Sequence, residues 1–243
     1  METNLNEPFL HYKEDEEPNE EIEKEIMKKI REGFVFKVYG ILAYQIVLTS
    51  LVVYFGLASS SFQYFLLSSN LMYVLCFITM IVCLFLPLCS PKIYQSVPSN
   101  YLVLTVFTLS YSWIIAAFTC VYSYGSVMSA LFLTFVTVIT LTIYAWRTKE
   151  HYTVKAGTTI VSIVLLLFSF LLLVLLGLPF FNLLITSLVL ILLSVYLIYD
   201  TQLICGKGRV KFSEDDYILA AINIYLDVIL LFTKILSIFG EKK

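Results

Sequence analysis

Three long stretches of this chain carry no formal charge, and they fix what it can become. No Asp, Glu, Lys or Arg occurs from Val38 to Pro91, from Ile93 to Trp146 or from Ala156 to Tyr199, runs of 54, 54 and 44 residues. A soluble domain could not hide so much continuous apolar chain in one core. Across 243 residues 59% are apolar and only 14% charged, where ordinary soluble domains carry roughly 25% charge. The expected class is an all-α membrane protein with several crossings.

A crossing takes about 20 apolar residues for a core roughly 30 Å thick, so each charge-free stretch holds two helices and a turn. The first stretch breaks at Ala58-Ser-Ser-Ser and Ser68-Ser-Asn70, and the second at Tyr122-Ser-Tyr-Gly-Ser126. The third breaks at Gly177-Leu-Pro179, because Pro cannot continue a helix and Gly tends to end one. With the last apolar run, Tyr217–Phe239, the expectation is a seven-transmembrane-helix bundle occupying residues 34–240. Its spans are placed at about 34–57, 64–89, 101–121, 127–146, 157–176, 180–205 and 214–239.

Residues 1–33 hold 11 of the 18 acids and 5 of the 16 bases, and read as an acidic, partly disordered cytosolic tail. Within it Ile22, Ile26 and Ile30 recur at i+4 spacing beside Glu20–Lys24 and Glu25–Lys29 pairs. Two readings stay open, a helix lying on the membrane surface and a solvated lead-in to the first span. Lys and Arg sit before the first span and in the connectors between hairpins, at Lys92, at Arg147, Lys149 and Lys155, and at Lys207, Arg209 and Lys211, while the hairpin tips have none. The positive-inside rule places that side, with the N-terminus, in the cytosol. Lys242 and Lys243 then fall on the far side if the seventh helix crosses fully, the reading preferred here over a re-entrant path.

Ionisable groups within the spans are expensive and are functional candidates by default. Beyond Lys37 at an entrance there are three: Asp200 near the end of the sixth span, and Asp227 and Lys234 in the seventh. Taking Ser213 as the N-cap, with Glu214 and Asp215 in the first turn and Asp216 closing a capping box, Asp227 lies about 21 Å along the axis, near mid-membrane. At 100° per residue Asp216, Asn223, Asp227 and Lys234 share a stripe about 40° wide. That stripe cannot face lipid, so the last helix is expected at the centre of the bundle.

If Asp200 and Asp227 meet, two negative charges in low dielectric cannot both persist, and the pair would share a proton as a gate. Asn223, Asp216 and Lys234 would line the pathway. Two carboxylates and an amide are too few for a tight calcium cage but suit a weak, transient calcium site on a conduction path. In the plainer reading Asp227 and Lys234 join helices, Lys234 snorkels, and Asp200 caps a loop. The many Ser, Thr and Tyr residues in the spans read as ordinary packing groups. Five cysteines without a C-x-x-C pair support neither disulfides nor zinc, and a net charge of −2 gives no reason to expect nucleic acid.

Three segments together resemble the Bax-inhibitor (lifeguard) family of intracellular membrane proteins. They are Ile30-Arg-Glu-Gly-Phe-Val-Phe-Lys-Val-Tyr-Gly-Ile-Leu-Ala-Tyr-Gln45 with Thr49, then Ile198-Tyr-Asp-Thr-Gln202, then Ser213-Glu-Asp-Asp-Tyr-Ile-Leu-Ala-Ala-Ile-Asn-Ile-Tyr-Leu-Asp227. The last is similar to the family's S-x-x-x-Y-x-x-A-x-x-N-x-Y-L-D pattern. The resemblance implies a seven-helix bundle with the last helix in the middle, a pH-sensitive calcium leak from an intracellular store, and protection against programmed cell death, with the family's aspartate pair on Asp200 and Asp227. It implies no resident cofactor, calcium being the permeant ion. Partners would be membrane lipids and cell-death regulators or calcium-release channels, in the endoplasmic reticulum or Golgi. Two departures stand out: Tyr111 lies where many members have Glu, and the second span lacks a basic residue.

Other readings fit less well. An intramembrane aspartyl protease would share Tyr199-Asp200, but Tyr225-Leu-Asp227 puts bulk where such an enzyme has Gly-x-Gly, so no enzyme is expected. A retinal protein could use Lys234 but would place its N-terminus outside. A non-conducting scaffold that restrains death signalling through partners is the main alternative to a leak.

Overall fold

The computed structural model describes residues 20–148, 179–206 and 212–243. In chain order the described helices are α1 (Glu20–Ala58), α2 (Ser60–Ser68), α3 (Asn70–Cys89), α4 (Pro91–Gln95), α5 (Ser99–Thr119), α6 (Tyr124–Arg147), α7 (Pro179–Ile204) and α8 (Tyr217–Phe239). Among the described residues six of them, α1, α3, α5, α6, α7 and α8, are long and apolar enough to cross a membrane. The expected fifth span, 157–176, lies outside the described residues, as do Lys149, Lys155, Lys207, Arg209 and Lys211.

Three boundaries differ from the sequence reading. The first helix is described from Glu20, well before the expected span at about residue 34, and its 39 residues extend about 58 Å. Residues 20–33 therefore continue the first span along its own axis, with Ile22, Ile26, Met27 and Ile30 exposed, instead of forming a separate surface helix. Salt bridges Lys28–Glu32 and Lys29–Glu25 at i,i+4 spacing support these exposed turns. The expected second span, 64–89, is divided at Ser69. The Ser69 hydroxyl donates to Phe65 O, and the Tyr73 hydroxyl to Leu66 O, fixing the junction between α2 and α3. Lastly, α8 begins at Tyr217, not at residue 214. Ser213 to Asp216 form a turn, and Asp216 takes the N-cap position without a side-chain capping bond.

The bundle has two distinct ends. At one, Gln95 of the α4 connector donates to Asp216, Asn100 at the start of α5 donates to the Tyr217 hydroxyl, and Lys37 lies 3.9 Å over the Tyr217 ring. Arg31 donates twice to Phe212 O, tying α1 to the stretch before α8. Gly206, past the end of α7, holds φ +72, a region open to glycine at no steric cost, and packs against the Arg31 side chain.

At the other end the last residues pair with the α5–α6 turn. Ser123 N donates to Glu241 O, Lys243 N to Val121 O, and Glu241 N to the Ser126 hydroxyl. Gly240 makes this possible, because a side-chain carbon there would run into Leu236 O and the Tyr122 ring. Thus α8 traverses the full length of the bundle. It packs against α1, α5, α6 and α7, and is the most enclosed of the six long apolar helices, with α3 the least.

Candidate functional site

Helix α8 buries Ala220, Ala221, Ile224, Tyr225, Val228, Leu231, Phe232 and Leu236 around most of its circumference. Its less covered stripe contains Asn223, Asp227, Leu230 and Lys234, all partly buried. The sequence-predicted polar stripe therefore follows the one incompletely packed face of the helix, except at its start. Asp216 stands outside the helix and binds Gln95, so it belongs to the connector and not to the stripe. Asp227 sits ten residues into a helix of 23, about 15 Å from its start and close to its midpoint.

Asp200 lies within the last turns of α7, the helix most extensively packed against α8. Its carboxylate acts electrostatically on Asp227 as a like charge, so the structure brings the two predicted aspartates into mutual range. The Asp227 Oδ2 atom is fully enclosed and has no hydrogen-bond partner. A buried carboxylate oxygen with no donor and a like-charged neighbour is poorly stabilised where it stands. Among the described residues no three His, Cys, Asp or Glu side chains gather into a metal-holding group. The pair can offer a cation two carboxylates but no closed cage, consistent in chemistry with a weak, transient contact.

The sequence reading missed a buried polar network beside this pair. Thr49 of α1 hydrogen-bonds to the Tyr225 hydroxyl of α8 at 2.7 Å, and Ser112 of α5 donates to Thr49 at 2.9 Å. Gln45 donates to Thr108, while Gln45 Oε1 remains unpartnered. These residues, read as ordinary packing groups, join three helices in one layer. A signal was available: Gln45 with Thr49 and Thr108 with Ser112 are each spaced i,i+4, placing polar pairs on one helix face. Tyr111 and Phe107 complete the layer. Their rings stack at 8°, and each meets Tyr225 edge-on, with centroids 5.9 and 6.4 Å away.

Thr49 joins both Ser112 and Tyr225; without it Ser112 keeps its bond to Thr108 O, while the buried Tyr225 hydroxyl loses its 2.7 Å partner. Thr49→Val, which keeps the shape, is expected to cost about 1–3 kcal/mol, read as a lower thermal midpoint in detergent, whereas Thr140→Val on the exposed face of α6 should leave the midpoint nearly unchanged.

A large apolar crevice lies away from the aspartates, in the half of the bundle near the α5–α6 turn. It has a volume of about 330 Å³ and is bounded by Val53 and Leu57 of α1, Val127 and Leu131 of α6, and Ile229 and Phe232 of α8. Among the described residues no Asp, Glu, Lys, Arg or His lines it, and neither aspartate of the pair is among its walls.

The family described as "Inhibitor of apoptosis-promoting Bax1" matches residues 31–243. Human "Protein lifeguard 3" is 27% identical over 219 residues, covering 88% of this chain and 70% of the human protein. Its mouse counterpart is 27% identical over 228 residues, covering 88% and 71%. "Protein LIFEGUARD 3" of Arabidopsis thaliana is 31% identical over 216 residues, covering 86% of this chain and 85% of the plant protein. From Arg31 onward the matched region contains the three sequence segments described above, both aspartates and all six long apolar helices, and on that ground the chain belongs to the Bax inhibitor family.

Proposed function

We propose that this protein is a pH-responsive cation leak of intracellular membranes, with calcium as the permeant ion, and that it restrains apoptosis by adjusting the calcium content of its store. The observation that carries this reading is the charged pair: Asp200 of α7 bears on Asp227 of α8 as a like charge, with an enclosed, unpartnered carboxylate oxygen near the middle of α8. Asp200 is the charged group acting on Asp227 among the described residues. When the pair holds a proton, α7 and α8 stay together. As pH rises the proton leaves, two negative charges repel, and either the helices part or a cation enters between them. Flux therefore increases with pH.

In this reading residues 157–176 supply the fifth of seven spans, α8 is the central helix, and Asn223 and Lys234 border the path. The reading is of a transporter and not an enzyme. The family description supports the link to cell death, and the endoplasmic reticulum or Golgi is the proposed site, with the N-terminus cytosolic.

A second reading, a non-conducting scaffold acting through protein partners, draws support from Tyr111. The stacked Phe107, Tyr111 and Tyr225 rings fill the bundle interior where many relatives have a Glu. The test is calcium influx into liposomes containing the purified protein, from mildly acidic to mildly alkaline pH. Influx that rises with pH supports the leak. Influx equal to that of empty liposomes at every pH leaves the scaffold.

Seven crossings also make a topological prediction. Epitope tags at the two ends should lie on opposite sides of the membrane. Protease added to intact vesicles will remove one and spare the other, and an even number of crossings would expose or protect both together.

A further inference from the structure

Three buried hydroxyls near the α4 end of the bundle have no hydrogen-bond partner: Tyr39 on α1, Thr142 on α6 and Thr201 on α7. They belong together. The Tyr39 hydroxyl is near enough to both threonine hydroxyls to interact with them as hydrogen-bonding groups, yet none of the three reaches the distance and angle of a completed hydrogen bond to another or to the backbone. Thr201 is wholly buried and Thr142 only 8% exposed. Trp146 holds the Tyr39 ring edge-on at 6.2 Å.

The threonines are unusual within this chain. A helical Thr normally satisfies its hydroxyl on the carbonyl four residues back, as Thr49, Thr79, Thr105, Thr108, Thr134, Thr137 and Thr140 all do. Thr142 and Thr201 forgo that bond. Three hydroxyls from three helices, drawn close but not bonded, present the two to four polar partners that a buried water needs. An acyl chain has nothing to offer them.

We propose that Tyr39, Thr142 and Thr201 hold buried water, forming a wet site through which a partly hydrated cation passes between the cytosolic end and the Asp200–Asp227 pair. Thr201 directly follows Asp200 in sequence, so the site adjoins the pair. Hydroxyl oxygens and held water replace part of the cation's hydration shell. The water site stands on the hydroxyls alone, and its place on a cation route rests on the function proposed above.

The sign of a stability change tests the water site without any flux. If the hydroxyls are dry and unmet, Tyr39→Phe, Thr142→Val and Thr201→Val each remove an unsatisfied polar atom at constant shape and raise the thermal midpoint. If water bridges them, each substitution breaks a bridge and lowers it by a few degrees, which is the expected result. A rise in any of the three overturns the site, and a fall caused by direct bonds between the hydroxyls with no water is told apart by cysteine labelling.

Labelling gives a second arm. In a chain stripped of its five native cysteines, Thr201→Cys should react with a small, water-soluble cationic thiol reagent while Ile204→Cys, equally buried and nearer the helix end, does not. Silence at Thr201→Cys, or equal reaction at both, also overturns the site. For the route, calcium influx should fall several-fold in Thr201→Val and recover in Thr201→Ser. Wild-type influx with an undiminished Thr201→Val removes the site from the path, whereas absent wild-type influx overturns the leak and leaves the water site to be judged by the midpoints and labelling.

Discussion

Calcium influx through Asp227→Asn should fall about tenfold or more, to the level of empty liposomes, with the protein still folded. Asn keeps the size and part of the polarity of Asp but cannot ionise. Near the middle of a spanning helix, a carboxylate persists against a desolvation cost of at least a few kcal/mol, so substitution by Asn should ease the fold while ending the leak. The expected signature is therefore opposite in sign for the two measurements: thermal midpoint unchanged or higher, flux lost. Asp200→Asn separates the gate from the path. Asp227 would then titrate without a like-charged neighbour, and the remaining flux should no longer climb from acidic to alkaline pH. Flux in Asp227→Asn equal to wild type would remove the carboxylate from any conduction path, and a wild-type pH profile in Asp200→Asn would remove the shared proton.

Much of this architecture is legible because membranes impose simple rules. Charge-free runs of 54, 54 and 44 residues call for hairpins of apolar helices, and in the first two the described helices turn at the Ser-containing breaks. The aspartates are legible as candidates, since a carboxylate within a spanning helix is costly at low dielectric, although joining helices or capping a loop would explain them too. Whether Asp200 and Asp227 come within electrostatic range is conditional in sequence terms. Asp200 lies close to the end of α7 and Asp227 near the middle of α8, and only the packing of those two helices brings them into range.

Other features were illegible for physical reasons. Ser213 to Asp216 has the composition of a capping box, but Gln95 binds the Asp216 carboxylate, and the helix starts one turn later. The divided second span depends on Ser69 and Tyr73 capturing backbone carbonyls of α2, which hydropathy does not register. The Gln45–Thr49–Thr108–Ser112–Tyr225 layer was hidden for a different reason. Each member alone is an ordinary polar group in a helix, and only the crossing of α1, α5 and α8 turns them into a network.

Tyr225→Ala should be the most damaging single change outside the charged pair. The side chain is 0% exposed at the point where three helices meet, and its ring closes the cluster with Phe107 and Tyr111. Truncating a buried aromatic ring costs about 3–5 kcal/mol through lost contacts and the cavity left behind. Thr49 loses a partner as well, although it keeps its bonds to Gln45 O and Ser112, so that further loss is at the low end of about 1–3 kcal/mol. For a chain of this size each kcal/mol moves the midpoint by roughly 2–4 °C, and the drop should be on the order of 10 °C or more.

Tyr225→Phe isolates the hydroxyl. It retains the ring contacts and should cost about 1 kcal/mol, a shift of a few degrees. The ratio between the two variants measures how far packing outweighs hydrogen bonding in this layer. Equal losses in both would mean that the Thr49 bond, and not the aromatic cluster, holds α8 to α1 and α5. Since Asp227 is only two residues along the same helix, Tyr225→Phe should also leave calcium influx intact if the layer is purely a support for α8. A leak that vanishes in Tyr225→Phe with the midpoint nearly preserved would instead put the hydroxyl on the path itself.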